Sequence, residues 1–172
     1  FVIEAAEIAA GLAPGRSRRF AFEQLATFDA AAYQKLRDGL VAGPRPAVTF
    51  HGSDRDAGAV AMASDNAARA GVADFALFRQ QTVSELMPPA GPPGLVIVNP
   101  PYGDRIGDRQ QLAPLYRALG ATLVGRFAGW RVGLVTSEVA LAKATGLPFT
   151  GTPLAVLHGG LRVMLFRTDR LG

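Results

Sequence analysis

Gly94-Leu95-Val96-Ile97-Val98-Asn99-Pro100-Pro101-Tyr102-Gly103 is the stretch on which the fold of this chain turns. Leu95 to Val98 is a short apolar run, rich in β-branched residues and preceded by a glycine. It reads as a buried strand, most simply a central strand of a parallel sheet. Two prolines then stop the strand, because neither can donate a ladder hydrogen bond and the first biases Asn99 toward an extended conformation. The product is a rigid Asn-Pro-Pro-Tyr loop at the carboxyl end of a strand, where open α/β sheets place their ligands.

Such a loop has a definite chemistry. The Asn99 side-chain oxygen and a backbone carbonyl can both accept hydrogen bonds from one exocyclic NH2 group. Pro100, with its fixed φ, suits the carbonyl role. Held by two acceptors, a planar amine is pushed toward sp3 geometry and its lone pair can aim at an electrophile. Tyr102 offers a flat face on which a heteroaromatic base can stack. The plainer alternative is a proline-rich turn in which Asn99 caps and Tyr102 packs.

Working outward, the flanking segments alternate between strand and helix patterns. Residues 47–52 read as a strand running into Ser53-Asp54-Arg55-Asp56, and an Ala-rich helix follows over 57–70 with Asp56 as N-cap and Gly71 as its end. Asp54 either accepts the ribose hydroxyls of a nucleoside cofactor or simply caps. His51 is expected to be a packed strand residue. Residues 73–78 form a second short strand, 83–86 a single helical turn, and Pro88, Pro89, Pro92 and Pro93 a stiff connector. Upstream, 1–10 is helical and 15–19 is a short basic loop that contacts phosphates or is a solvated connector. Phe20, Phe22 and Leu25 are expected against the sheet, and Asp29 caps a helix over 30–41. Downstream, 110–127 is an amphipathic helix with Leu112, Leu115, Leu119 and Leu123 on one face. A strand at 130–136, a helix at 139–145 and an antiparallel hairpin of 152–158 with 161–167 complete the chain. Alternating strands and helices ending in a hairpin give an α/β sheet with helices on both faces.

Asn99-Pro100-Pro101-Tyr102 resembles the amine-methylating motif of class I S-adenosylmethionine-dependent methyltransferases. The longer string from Asn99 to Gly107 is similar to the THUMP-linked RNA methylase family, whose members make N2-methylguanosine in 23S ribosomal RNA and often carry the label N6-adenine-specific DNA methylase. Further matches run in order along the chain: Ile3-Glu4-Ala5-Ala6, Ala13-Pro14-Gly15, Gly52-Ser53-Asp54-Arg55-Asp56, Leu115-Tyr116-Arg117-Ala118-Leu119-Gly120, Thr136-Ser137 and Gly159-Gly160-Leu161. The resemblance implies a Rossmann-like sheet of order 3-2-1-4-5-7-6, with the first strand, its Gly-rich cofactor loop and a THUMP domain lying upstream of Phe1. Residues 1–172 are then a single, N-terminally incomplete catalytic domain. It implies S-adenosyl-L-methionine as cofactor, with Asp54 on the ribose, Arg55 flanking the adenine, Gln81 at the adenine amino group, and Asn99 at the junction of cofactor and substrate. Gln81 stands where the family usually has an acidic residue, so only its amide oxygen could serve. Asn99, Pro100, Pro101 and Tyr102 become the catalytic loop, and Tyr102 with Arg105 the substrate contacts. Arg105 either holds an RNA phosphate or pairs with Asp104 or Asp108 in solvent.

Composition sets the outer bounds. A hydrophobic fraction of 49% against 19% charged residues supports a core in a chain of 172 residues and argues against disorder. There is no Cys, which removes disulfides and thiolate metal sites, and fits a reducing, cytoplasmic location. No metal is required by the motif. No apolar stretch approaches a membrane span, and Phe1-Val2-Ile3-Glu4 has no basic n-region. The net charge of +4 is compatible with a polyanionic partner. Ribosomal RNA is the expected partner and DNA the alternative; the oligomeric state is open. The expected activity is methylation of a nucleobase amine, guanine N2 first. An N6-adenine methyltransferase on DNA or RNA, or a non-catalytic RNA-binding fragment, are the other readings.

Overall fold

The computed structural model describes residues 1–102, 109–158 and 161–172. Its strands form two sheets, one in each of two units, Phe1–Gln80 and Gln81–Gly172.

In the first unit, β1 (Phe50–Asp54) pairs in parallel with β2 (Ala76–Gln80), with Phe50 opposite Ala76 and Asp54 opposite Gln80. Helices α1 (Val2–Ala9) and α3 (Ala57–Ala70) lie on this pair, and α2 (Ala30–Asp38) precedes it in the chain. The contact is made by small residues: Ala6, Ala10, Ala67 and Ala76 are buried together with Val72 and Phe75. Gly52 belongs to the same economy of space, because a Cβ there would meet the Phe78 ring at 2.6 Å. Asp56 accepts from the Gly58 and Ala59 amides at 2.7 and 3.2 Å, and Gly71 ends α3 with φ +71°.

Some boundaries move from the sequence reading. The first strand begins at Phe50, whose amide reaches the Phe75 carbonyl at 2.7 Å; Val48, 59% exposed, lies outside the ladder. The strand therefore ends on Asp54 itself. Helix α2 stops at Asp38 with Gly39 as C-cap, three residues before the predicted end. Phe20 and Phe22 do not lie on the sheet. They stack on each other at 5.4 Å, and Phe22 meets Tyr33 of α2 edge-on at 5.3 Å. Aromatic partners four to six ångströms away satisfy these rings locally, and Leu25 is left exposed. In the basic loop, Arg16 pairs with Glu7 and donates to the Ala70 carbonyl, so it ties α1 to α3.

In the second unit, β3 (Leu95–Val98) runs parallel to β4 (Arg131–Thr136), which is antiparallel to β6 (Leu161–Arg167); β5 (Leu154–His158) closes the edge as a hairpin with β6. The order β3-β4-β6-β5, with β1-β2 in the other sheet, reproduces the neighbour pairs 4-5-7-6 and 3-2 that the resemblance implies. Helices α4 (Arg109–Arg126) and α5 (Val139–Ala144) bury one core with the sheet, in which Leu112, Tyr116, Leu119 and Leu123 meet Val132, Leu134, Leu141 and Phe166. The buried stripe of α4 uses Tyr116 where the sequence reading placed Leu115, which is half-buried. Steps of four, three and four residues keep one face inward. Beneath that face, Gly120 lets α4 touch α5: a Cβ there would lie 1.7 Å from the Thr145 carbonyl oxygen.

Candidate active site

Strand β3 ends at Val98, opposite Leu134, and the next four residues are the Asn-Pro-Pro-Tyr loop. Asn99 is exposed and its amide makes no hydrogen bond among the described residues, so it does not cap. Both its oxygen and its NH2 remain available. Pro100 is buried, while Pro101 and Tyr102 are half-buried. The loop is thus seated on the protein through its prolines with its polar side chain outward.

Under the loop lies a residue pair that the sequence reading did not single out. The Tyr116 hydroxyl, on a fully buried side chain, is 3.2 Å from the Pro101 carbonyl and 3.2 Å from Thr136 Oγ1. A tyrosine has one hydroxyl proton, so it cannot donate to both. All groups are satisfied when Tyr116 donates to the Pro101 carbonyl and accepts from the Thr136 hydroxyl, which itself accepts from the Glu138 amide at 3.1 Å. Burial pushes the Tyr116 hydroxyl above its ordinary value; the Thr136 hydrogen bond acts the other way, and the neighbouring Tyr102 and Glu138 push it up again. Tyr116 therefore remains a protonated donor well above neutral pH. The signal for it was in the sequence: a tyrosine four residues after Leu112, on an apolar helical face, must find a buried partner for its hydroxyl.

The other candidate residues sit at the carboxyl ends of β1 and β2. Asp54 is exposed; its Oδ1 accepts from the Asp56 amide at 3.0 Å, and its side chain makes no other hydrogen bond among the described residues. The N-cap of α3 is Asp56. One Asp54 oxygen thus shapes the turn and the other is open to a ligand. Gln80 donates to the Arg55 carbonyl at 3.1 Å, which fixes the same turn. The Gln81 amide nitrogen donates to the Glu85 carbonyl at 2.8 Å, leaving Oε1 as its free acceptor. Glu85 in turn accepts from the Thr82 amide and hydroxyl at 3.0 and 2.7 Å, and these bonds, the backbone one first, hold its carboxyl below the usual range.

Asp54 and Arg55 belong to the first unit, and Gln81 with Asn99, Pro100, Pro101 and Tyr102 to the second. Arg105 lies outside the described residues. His51 is exposed rather than packed, because it falls on the strand face opposite Phe50 and Gly52. Among the described residues no cluster of His, Asp or Glu is placed to hold a metal ion, and no helix is long and apolar enough to cross a membrane. Chemically, the second unit offers an unengaged amide and a proline carbonyl on a stiff loop beside an aromatic ring. The first offers an open carboxylate oxygen at a strand end.

Residues 1–150 match the RMKL-like methyltransferase domain family. The ribosomal RNA large subunit methyltransferase K/L of Legionella pneumophila (strain Lens) is 41% identical over 148 residues, covering 85% of this chain and 21% of that protein. The chain thus spans about a fifth of the length of that relative. Among solved structures, the protein SMU.472, crystallised in complex with SAH, superposes with a TM-score of 0.88 at 28% identity over 99% of this chain and 45% of its own. A Listeria monocytogenes (strain 4b F2365) protein, described as a predicted N6-adenine-specific DNA methylase, gives 0.80 at 28% identity over 96% of this chain and 42% of its own. With the sheet order, the loop after β3 and a family match over most of its length, the chain belongs to the RMKL-like methyltransferase domain family.

Proposed function

We propose that this chain is the catalytic part of an enzyme that methylates an exocyclic nucleobase amine, with guanine N2 in 23S ribosomal RNA as the substrate. The observation that carries the proposal is the Asn99-Pro100-Pro101-Tyr102 loop itself, directly after a parallel strand and with the Asn99 amide unengaged. The RNA substrate is supported by the 41% identity to a ribosomal RNA large subunit methyltransferase. Because the matched residues make up only 21% of that relative, the working enzyme in this reading is a longer polypeptide that supplies a Gly-rich cofactor loop, and its expected place is the cytoplasm. The 172 residues alone are expected to bind S-adenosylmethionine more weakly than micromolar.

Each unit taken by itself, the chemistry of the residues present suits the adenosine end of S-adenosylmethionine. Asp54 has an open carboxylate oxygen for a ribose hydroxyl, Gln81 has an amide oxygen without a protein partner for the adenine amino group, and Arg55 is next to Asp54 in sequence. When bound, this cofactor supplies an electrophilic methyl group on its sulfonium. The task left to the protein is alignment and exclusion of water. Asn99 Oδ1 and the Pro100 carbonyl accept the two N–H bonds of the amine and direct its lone pair. Tyr102 stacks on the base once it leaves its helix, and Arg105 holds a phosphate.

A second reading, adenine N6 on DNA or RNA, is favoured by the Listeria structure and its description. Both bases present the same amine to Asn99 and Pro100. Tritiated methyl transfer by the full-length polypeptide to unmodified ribosomal RNA beside genomic DNA separates them. N2-methylguanosine that disappears in Asn99→Ala supports the main reading, and N6-methyladenine supports the second. Cofactor binding without transfer to either would point to another amine. Absence of cofactor binding would leave an RNA-binding or inert domain.

A further inference from the structure

From Asn99 to Pro101 the loop is stiff by covalent structure alone. The two pyrrolidine rings fix φ at Pro100 and Pro101, and a following proline confines ψ at Asn99 and Pro100 to extended values. The first free torsion is ψ of Pro101, because residue 102 is a tyrosine. That one torsion both orients the Pro101 carbonyl and sets the direction in which Tyr102 leaves the loop. The Pro101 carbonyl is the atom that the buried Tyr116 hydroxyl contacts at 3.2 Å.

We propose that Tyr116 is a positioning residue, which by holding the Pro101 carbonyl fixes the stacking face of Tyr102 relative to the Asn99 and Pro100 acceptors. This rests on the amine-methylation reading above. Tyr116 is itself anchored: its ring is part of the α4 stripe against the sheet, and its oxygen lies 3.2 Å from Thr136 Oγ1 at the end of β4. In the arrangement that satisfies every group, Thr136 donates to the Tyr116 oxygen and the Tyr116 proton is directed at the Pro101 carbonyl. Both distances are long for O–H···O bonds, as hydrogen bonds around a catalytic loop commonly are before substrate tightens them.

The test is a double-mutant cycle in the full-length polypeptide with Tyr116→Phe and Tyr102→Ala. It is read as Kd for an unmodified 23S RNA fragment and for S-adenosylmethionine, as kcat and KM of methyl transfer, and as melting temperature. Tyr116→Phe is expected to weaken RNA binding and lower kcat by about three- to tenfold, the range for one hydrogen bond. Cofactor affinity should not change. In the Tyr102→Ala background the same substitution should cost less than about twofold, because the residue through which it acts is gone. Equal losses in both backgrounds, or a change confined to melting temperature, would overturn the inference. If Tyr116→Phe does not fold, Tyr116→Met, which also removes the hydroxyl and fills a core position adaptably, carries the same cycle with the same criteria. Coupling in RNA binding without any methyl transfer would overturn the methylation reading and leave the positioning role in place. Methyl transfer with strictly additive variants would do the reverse, and absence of RNA binding would overturn both.

Discussion

At Asn99 the informative property is an unmet need. Its side chain is exposed at the end of a strand, next to a buried proline, and has no partner within the described protein. A capping asparagine would have spent its oxygen on a backbone amide. Asp54 and Asp56 make the complementary case, two carboxylates two residues apart with different work. Asp56 spends Oδ1 on two amides of α3 as its N-cap, whereas Asp54 spends Oδ1 on a single amide of the turn at the end of β1. The two are therefore expected to separate experimentally. Asp56→Ala should destabilise the fold by about 1 kcal/mol, the usual worth of an N-cap, without a specific effect on cofactor affinity. Asp54→Ala should weaken S-adenosylmethionine binding by the ~10- to 100-fold of a lost charged hydrogen bond, with melting temperature almost unchanged. Isothermal titration and thermal melts on the same samples check both. Equal cofactor affinity in the two variants would remove Asp54 from the site. These residues were readable from sequence because each follows a strand. Tyr116 and Thr136 were readable only in part: an apolar helical face implies a buried partner for the Tyr116 hydroxyl, but which partner it meets is a contact between α4, β4 and a loop that no local pattern announces.

Among the elements, the junction of α4 and α5 is the most demanding. In an exposed helix interior Gly→Ala stabilises by up to about 1 kcal/mol. At Gly120 the sign reverses, since the new methyl would lie 1.7 Å from the Thr145 carbonyl oxygen, a backbone atom that cannot swing away. Gly120→Ala is expected to cost about 3 kcal/mol or more. A denaturant titration that shows no loss would mean the helices can part at little cost. The short 3-10 turn Val83–Glu85 is held by the Thr82–Glu85 capping box, and its behaviour with pH follows from the depressed Glu85 carboxyl. The folded value lies below the unfolded one. The contribution of this box is therefore present above the ordinary glutamate range and is lost as pH falls through the lower, folded value. A carbon-13 titration should place the Glu85 midpoint under the ordinary range and move it only part of the way back in Thr82→Ala, which removes the hydroxyl bond and keeps the larger backbone one; an ordinary midpoint in the parent protein would show that the box does not persist in solution. The helix stripe illustrates how far periodicity reaches. It gave the α4 face correctly at Leu112, Leu119 and Leu123, but hydropathy preferred Leu115 to Tyr116, and only the partners of the hydroxyl made the tyrosine the buried one.

For the molecule as a whole, each unit carries its own core. The second has a four-stranded sheet, with β4 and β6 paired on both sides; the first has two strands, each with one free edge. A two-stranded pair is marginal without helical cover. Hydrogen exchange of the 172 residues should therefore be slowest in β4 and β6 and faster in β1 and β2. The opposite ranking would mean that the alanine-rich packing of α1 and α3 is worth more than its area indicates. By itself the sequence determined the strand–loop unit at 95–102, the helix caps at Asp29 and Asp56, the terminal hairpin and the α/β class. Those features depend on local rules: proline cannot donate, a short acidic side chain satisfies helix amides, and apolar residues repeat with the period of their element. Tertiary structure alone decided where the ladders start, that Tyr116 rather than Leu115 completes the inward face of α4, and that Phe20 stacks on Phe22 and Phe22 on Tyr33 rather than on a sheet. It also decided that a hydroxyl from α4 holds the loop, because these outcomes depend on which groups, distant in sequence, arrive within a few ångströms of one another.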